Sequence, residues 1–134
     1  MLAQEKRQNR DVASAETKLC GIGHLNYKVK LSDEDPPEKL LEVNTTWYGA
    51  FHQGKKMSNG ERFDACNPTI VASKIYPEKT RLRLHYGGAI ADVTVTDTPD
   101  KDTGADIDVS FAVALHLGIV VRGRVRDLQV EVLN

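Results

Sequence analysis

The stretch Thr46-Trp47-Tyr48-Gly49-Ala50-Phe51-His52-Gln53-Gly54, running on through Lys55 and Lys56 to Asn59-Gly60-Glu61-Arg62-Phe63-Asp64, gathers the side chains best suited to chemistry. Gly49, Gly54 and Gly60 let the backbone turn sharply between its aromatics, histidine and acids. Asn59-Gly60 is itself a turn signal, so Glu61 follows directly on a turn. Trp47 and Tyr48 close a strand, where flat amphipathic rings can line a groove and stack on the apolar faces of sugars. The same pattern also fits Trp47 as plain core, Tyr48 capping it and Glu61 solvated, because aromatics in strands mostly serve packing. A further acid, Asp97, stands at the exit of a strand that Pro99 cannot continue.

Composition narrows the partners. The chain has 134 residues, the length of one domain, and its 18 basic and 19 acidic residues nearly cancel. That balance gives no footprint for nucleic acid or an anionic membrane, and no apolar run approaches the roughly 18 residues of a membrane span. His24, His52, His85 and His116 are scattered without zinc spacing, and no metal or cofactor is expected. Asp100, Asp102, Asp106 and Asp108 alternate like a calcium loop, but the terminal bidentate Glu is missing. Cys20 and Cys66 are too few for a disulfide framework; they read either as two plain thiols or as a bridge formed in an oxidising compartment.

The positioning elements follow from periodicity. Residues 1 to 17 are polar and read as a tail or partner-binding arm. Leu25, Tyr27, Val29 and Leu31 alternate with polar residues as a half-buried strand, and Ser32-Asp33-Glu34-Asp35-Pro36-Pro37 reads as a linker. The extension is therefore placed at 1–40 and the main domain at 41–134. Leu41, Val43, Thr45 and Trp47 share one strand face; Thr69–Ala72, Leu82–Leu84, Ala91–Val95 and Leu128–Val132 supply further strands, with a turn at Tyr86-Gly87-Gly88. One helix spans Ser110 to Leu117, capped by Asp108 or Ser110 and ended by Gly118, with Phe111, Ala114 and Leu115 inward. About six short strands with one helix indicate a mainly β fold, a closed barrel without exposed edges.

Trp47-Tyr48-Gly49, Phe51-His52-Gln53-Gly54-Lys55-Lys56 and Asn59-Gly60-Glu61-Arg62-Phe63-Asp64 resemble the opening motif of the rare lipoprotein A (RlpA-like) family. Val95-Thr96-Asp97 resembles that family's strand-end Asn-Asp, and Ile107-Asp108-Val109-Ser110 resembles the start of its Ile-Asp-Leu-Ser-x-Ala-Ala helix. The likeness runs over residues 43 to 133, and more distantly extends to expansin-like domains. It implies a six-stranded double-psi β-barrel with one short helix and an N-terminal extension.

The resemblance also implies an activity, lytic transglycosylation of peptidoglycan, in which the MurNAc-GlcNAc bond is cleaved and a 1,6-anhydro ring forms without metal. On this reading Asp97 is the acid/base and Glu61 a facing second carboxylate, while Trp47, Tyr48, Gly49, Phe51, His52 and Ser73 bind the glycan. Ser73 stands where the family carries a cleft histidine, and Thr98 where it carries an arginine; His52 and His85 are the candidates to approach the cleft instead, and each also reads as an ordinary satisfied surface or core histidine. A barrel kept for glycan binding, or as an assembly subunit, is the alternative function. No apolar stretch follows the basic residues near the N-terminus, so the expected setting is a phage virion, with residues 1–40 docking to tail or baseplate proteins and the barrel acting on the cell wall. An exported envelope protein whose signal has been removed is the alternative.

Overall fold

Alternating apolar and polar residues give strands with one buried face, and here the strands close into a ring that buries those faces together. The computed structural model describes residues 14–24, 30–31, 40–99 and 103–133. Along the chain these form helix α1 (Ser14–His24), β1 (Lys30–Leu31), β2 (Leu41–Tyr48), a 3-10 turn (Ala50–His52), β3 (Ile70–Ser73), β4 (Arg81–Tyr86), β5 (Ala89–Asp97), β6 (Ile107–Ser110), helix α2 (Phe111–Leu117) and β7 (Arg124–Val132).

The ring runs β5-β3-β6-β2-β7-β4 and returns to β5. The β2–β6 and β3–β5 pairs are parallel and the other four antiparallel, which is the arrangement of a double-psi β-barrel. β1 lies against β5 through Lys30–Ile90 and Leu31–Ala89, outside the ring. The β4–β5 hairpin turns on Gly87 and Gly88, at φ +57° and +86°, angles that the matching two-residue turn needs and that other residues resist. Val43, Val71, Leu82, Leu84, Val95 and Leu128 are all but fully buried in the core.

Several local expectations are corrected by packing. β2 shifts register between Val43 and Thr45, and its last buried residue is Tyr48, leaving Leu41 exposed and Trp47 half-buried rather than on one common inner face. In α2 the inner face is Phe111, Ala112, Val113, Ala114 and Leu117, whereas Leu115 points to solvent. Ser110 is its N-cap, its hydroxyl accepting the Val113 amide at 3.2 Å, and Gly118 closes it in the left-handed conformation. Val132 is exposed at the end of β7. Helix α1 already begins at Ser14, inside the stretch expected to be a tail, and Gly21 at φ +66° kinks it. The two cysteines form a bridge, Cys20–Cys66, which joins α1 to the loop ahead of β3. The proposed linker at 32–37 and most of the strand at 25–31 lie outside the described residues.

Leu84 has no solvent exposure and sits on β4 between β5 and β7. Leu84→Ala is therefore expected to cost about 2–5 kcal/mol of stability, read as a lower midpoint in urea unfolding with an unchanged slope.

Candidate active site

The loop after β2 is folded back over one end of the barrel by its own backbone. Gly54 donates to the Phe63 carbonyl at 2.9 Å, Phe63 to Lys55 at 2.8 Å and Met57 to Glu61 at 2.8 Å. Its tip is tied to the end of β5, where the Asn59 amide donates to Thr96 O at 3.2 Å. Ser58 donates to Asp97 Oδ1 twice, from its amide at 2.9 Å and its hydroxyl at 2.8 Å, and the Thr98 amide adds a third bond at 2.9 Å. All three converge on Oδ1, which fixes the carboxylate and leaves Oδ2 outside this set of bonds.

Asp97 opens onto a cleft of about 290 Å³ shared with Tyr48, His52, Lys55, Met57, Ala72 and Asp108. Asp108 is its second carboxylate. It lies on β6, mostly buried, and its Oδ1 accepts the Thr46 hydroxyl at 2.8 Å. Ala72 is the register partner of Asp97 on one side and of Asp108 on the other, and directly paired residues project to the same face of a sheet. The two carboxylates therefore flank one small side chain. A second cleft, of about 460 Å³, adjoins the first through Tyr48, His52 and Asp108 and extends to Trp47, Phe51, Arg124 and Glu16 of α1.

Tyr48 is 7% exposed and stacks on Phe63 at 4.1 Å, yet its hydroxyl has no partner among the described residues. Burial, and then the negative charges of Asp97 and Asp108, push its phenol far above the ordinary range, so it stays protonated and able to donate. The His52 ring lies edge-on to Tyr48 at 5.7 Å and to Phe51 at 5.2 Å, and its Nδ1 is likewise buried without a partner among these residues. Phe51 is 80% exposed, with Lys55 Nζ 4.1 Å above its ring, an open platform at the cleft edge. Trp47 serves packing and cleft together: its ring is 5.5 Å from Phe111, its Nε1 donates to Val120 O at 3.1 Å, and it lines the second cleft.

Other expected residues are elsewhere. Glu61 does not line the Asp97 cleft; its side chain is exposed and accepts from Asn59 Nδ2 at 2.6 Å, so the facing pair is Asp97 and Asp108. Ser73 is buried as a turn cap, its hydroxyl accepting the Ile75 and Tyr76 amides at 3.1 and 2.9 Å, and it lines neither cleft. His85 contacts Glu131 at 2.9 Å on the barrel wall, leaving His52 as the cleft imidazole. Asp108 was legible in principle as a lone charge inside the otherwise apolar run Ile107–Val109, where an acid is costly unless it has a task. No group of three His, Cys, Asp or Glu placed to hold a metal occurs among the described residues, and Asp106 is engaged by the Asn44 amide at 2.9 Å.

The ring topology and the paired carboxylates at its end define a double-psi β-barrel with a polar cleft. No family model matches the chain. It is similar to two proteins of Neisseria meningitidis, from serogroups A and B, each named endolytic peptidoglycan transglycosylase RlpA, at 33% and 34% identity over 112 residues. That stretch is 79% of this chain, and the chain spans 46% of each relative's length. The Streptomyces papain inhibitor has the same fold, with a TM-score of 0.58 at 20% identity, covering 75% of this chain and all of that one. The domain is an RlpA-like double-psi β-barrel.

A buried hydroxyl without a partner lowers stability and persists where a ligand uses it. Tyr48→Phe is expected to leave the melting temperature equal or higher, by up to about 1 kcal/mol in stability. The raised phenol pKa sets a second sign. The folded state holds this proton more tightly than the unfolded chain, so its contribution is full below pH 10 and is lost as pH rises above that. Alkaline destabilisation beyond pH 10 should accordingly be shallower in Tyr48→Phe, as measured by denaturant melts at stepped pH.

Proposed function

We propose that the barrel cleaves peptidoglycan glycan strands by lytic transglycosylation. The observation that carries this reading is the placement of Asp97 and Asp108 on either side of Ala72, facing one cleft. The names of the meningococcal relatives support it. A carboxyl proton passes to the GlcNAc O4 as the bond from MurNAc C1 to that oxygen breaks. The MurNAc C6 hydroxyl closes on C1, forming the 1,6-anhydro ring, and its proton returns to the carboxylate, so no water is consumed. Asp97, fixed through Oδ1 by Ser58 and Thr98, exchanges these protons through Oδ2. Asp108 stabilises positive charge growing at C1, which a buried carboxylate does better than a solvated one. Tyr48 donates to a sugar oxygen, and Phe51 stacks on a ring at the cleft edge.

The Cys20–Cys66 bridge supports a workplace in an oxidising compartment, where both a virion tail component and an exported envelope protein meet the wall. A second reading, glycan binding without turnover, draws on Ser73, whose hydroxyl is spent on a turn where the family keeps an imidazole.

Incubation with purified sacculi, intact and amidase-stripped, and mass spectrometry of the soluble products separates them. Wild type is expected to release anhydro-terminated glycans. Asp97→Asn and Asp108→Asn should each lower the rate by roughly 10²–10⁴-fold, while Glu61→Gln keeps most of it. Silence from the wild type with retained sedimentation on sacculi establishes the binding module. Loss of activity in Glu61→Gln with Asp108→Asn active would restore Glu61 as the second carboxylate.

A further inference from the structure

Helix α1 is unused by the glycan reading and unneeded for barrel closure, since the ring is complete without it. Its position is nevertheless specific. The Glu16 carboxylate lies directly over Gly49, so close that a Cβ on that residue would overlap it, and its Oε2 accepts the Ala50 amide at 2.6 Å. Glu16 thereby walls the second cleft together with Trp47, Phe51 and Arg124. Tyr48, more than nine-tenths buried and with a hydroxyl that has no acceptor among the described residues, lines the same cleft. A helix docked for stability would bury an apolar stripe. Among residues 14–21 only Cys20 is buried, while Leu19 is 41% exposed. Over residues 14–21, α1 is thus held by a sulfur bridge at one point and by a carboxylate in the cleft at another.

A carboxylate accepting a backbone amide does what the carbonyl of an acetamido group, or the carboxylate of a lactyl group, does when a sugar binds. We propose that α1 is a strap closing one end of the groove, held by Cys20–Cys66, with Glu16 standing where an acyl oxygen of the glycan accepts the Ala50 amide once the strap is lifted. This inference rests on the glycan reading. Lifting requires a dithiol reductant: its thiolate attacks the bridge, the mixed disulfide resolves, and the products are two cysteine thiols and a cyclic disulfide of the reductant, two electrons and two protons having passed.

The probe is a soluble GlcNAc-MurNAc tetrasaccharide with free lactyl carboxylates, titrated calorimetrically into the full-length chain carrying Asp97→Asn, which prevents turnover. Four forms are compared: this background oxidised, the same protein with dithiothreitol, the background with Cys20→Ser and Cys66→Ser, and the background with Glu16→Ala. The strap predicts a Kd about tenfold lower in the last three than in the first. Thermal melts report the fold, and Glu16→Ala, which keeps the bridge, carries the test if the serine pair unfolds. Equal Kd in all forms, or weaker binding in Glu16→Ala, overturns the strap and leaves the glycan reading standing. Binding by none of the forms overturns both.

Discussion

The site depends on a register constraint at one alanine. Ala72 pairs with Asp97 across a parallel ladder and with Asp108 across an antiparallel one, so the two carboxylates are held two strand spacings apart, about 10 Å between backbones, facing the same way. The ladder with β5 shifts between Val71 and Ala72, which brings Asp97 rather than Thr96 opposite Ala72. A one-residue slip of β5 or of β6 would send its own acid to the opposite face. Slippage is prevented because the ring is closed: β5 is paired to β4 as well as β3, and β6 to β2 as well as β3. The methyl group between the carboxylates leaves the cleft open between them.

Around that constraint, the loop following β2 supplies fixation and surface. Ser58 and Asn59 anchor it to the end of β5, so the same contacts that order the loop also orient Asp97. Tyr48 and His52 keep buried polar atoms without partners among the described residues, beside two acids. A barrel selected for stability alone would place phenylalanine and an aliphatic residue there. The molecule gives up local stability where a ligand is expected and recovers it in the tightly packed interior formed by Leu82, Leu84, Ile107 and Leu128.

Much of this was legible in the sequence because it rests on short-range rules. Strand alternation, the Gly87-Gly88 turn and the Ser110 and Gly118 caps each follow from local chemistry, and the motif from Trp47 to Asp64 marks the loop that builds the site. The second carboxylate was not legible by proximity in sequence. Glu61 is the acid next to the aromatic motif, but the turn at Asn59-Gly60 directs it to solvent, whereas Asp108 is delivered by parallel pairing of β6 with β2 across 62 residues. Ser73 lines neither cleft for a related reason: a hydroxyl at a strand end is within reach of the backbone amides of the next turn, and it accepts those of Ile75 and Tyr76. Alternation holds through Val43 and Thr45 but ends at the strand exit, where Tyr48 rather than Trp47 is buried and stacked on Phe63.

The Cys20–Cys66 bond spans 46 positions of sequence and encloses all of β1 and β2 in one covalent loop. A backbone cut anywhere between the two cysteines would open that loop without releasing a fragment. The linking segment is thereby made tolerant of nicking, and after a single cut there the part of the helix up to Cys20 stays attached until the bridge is reduced.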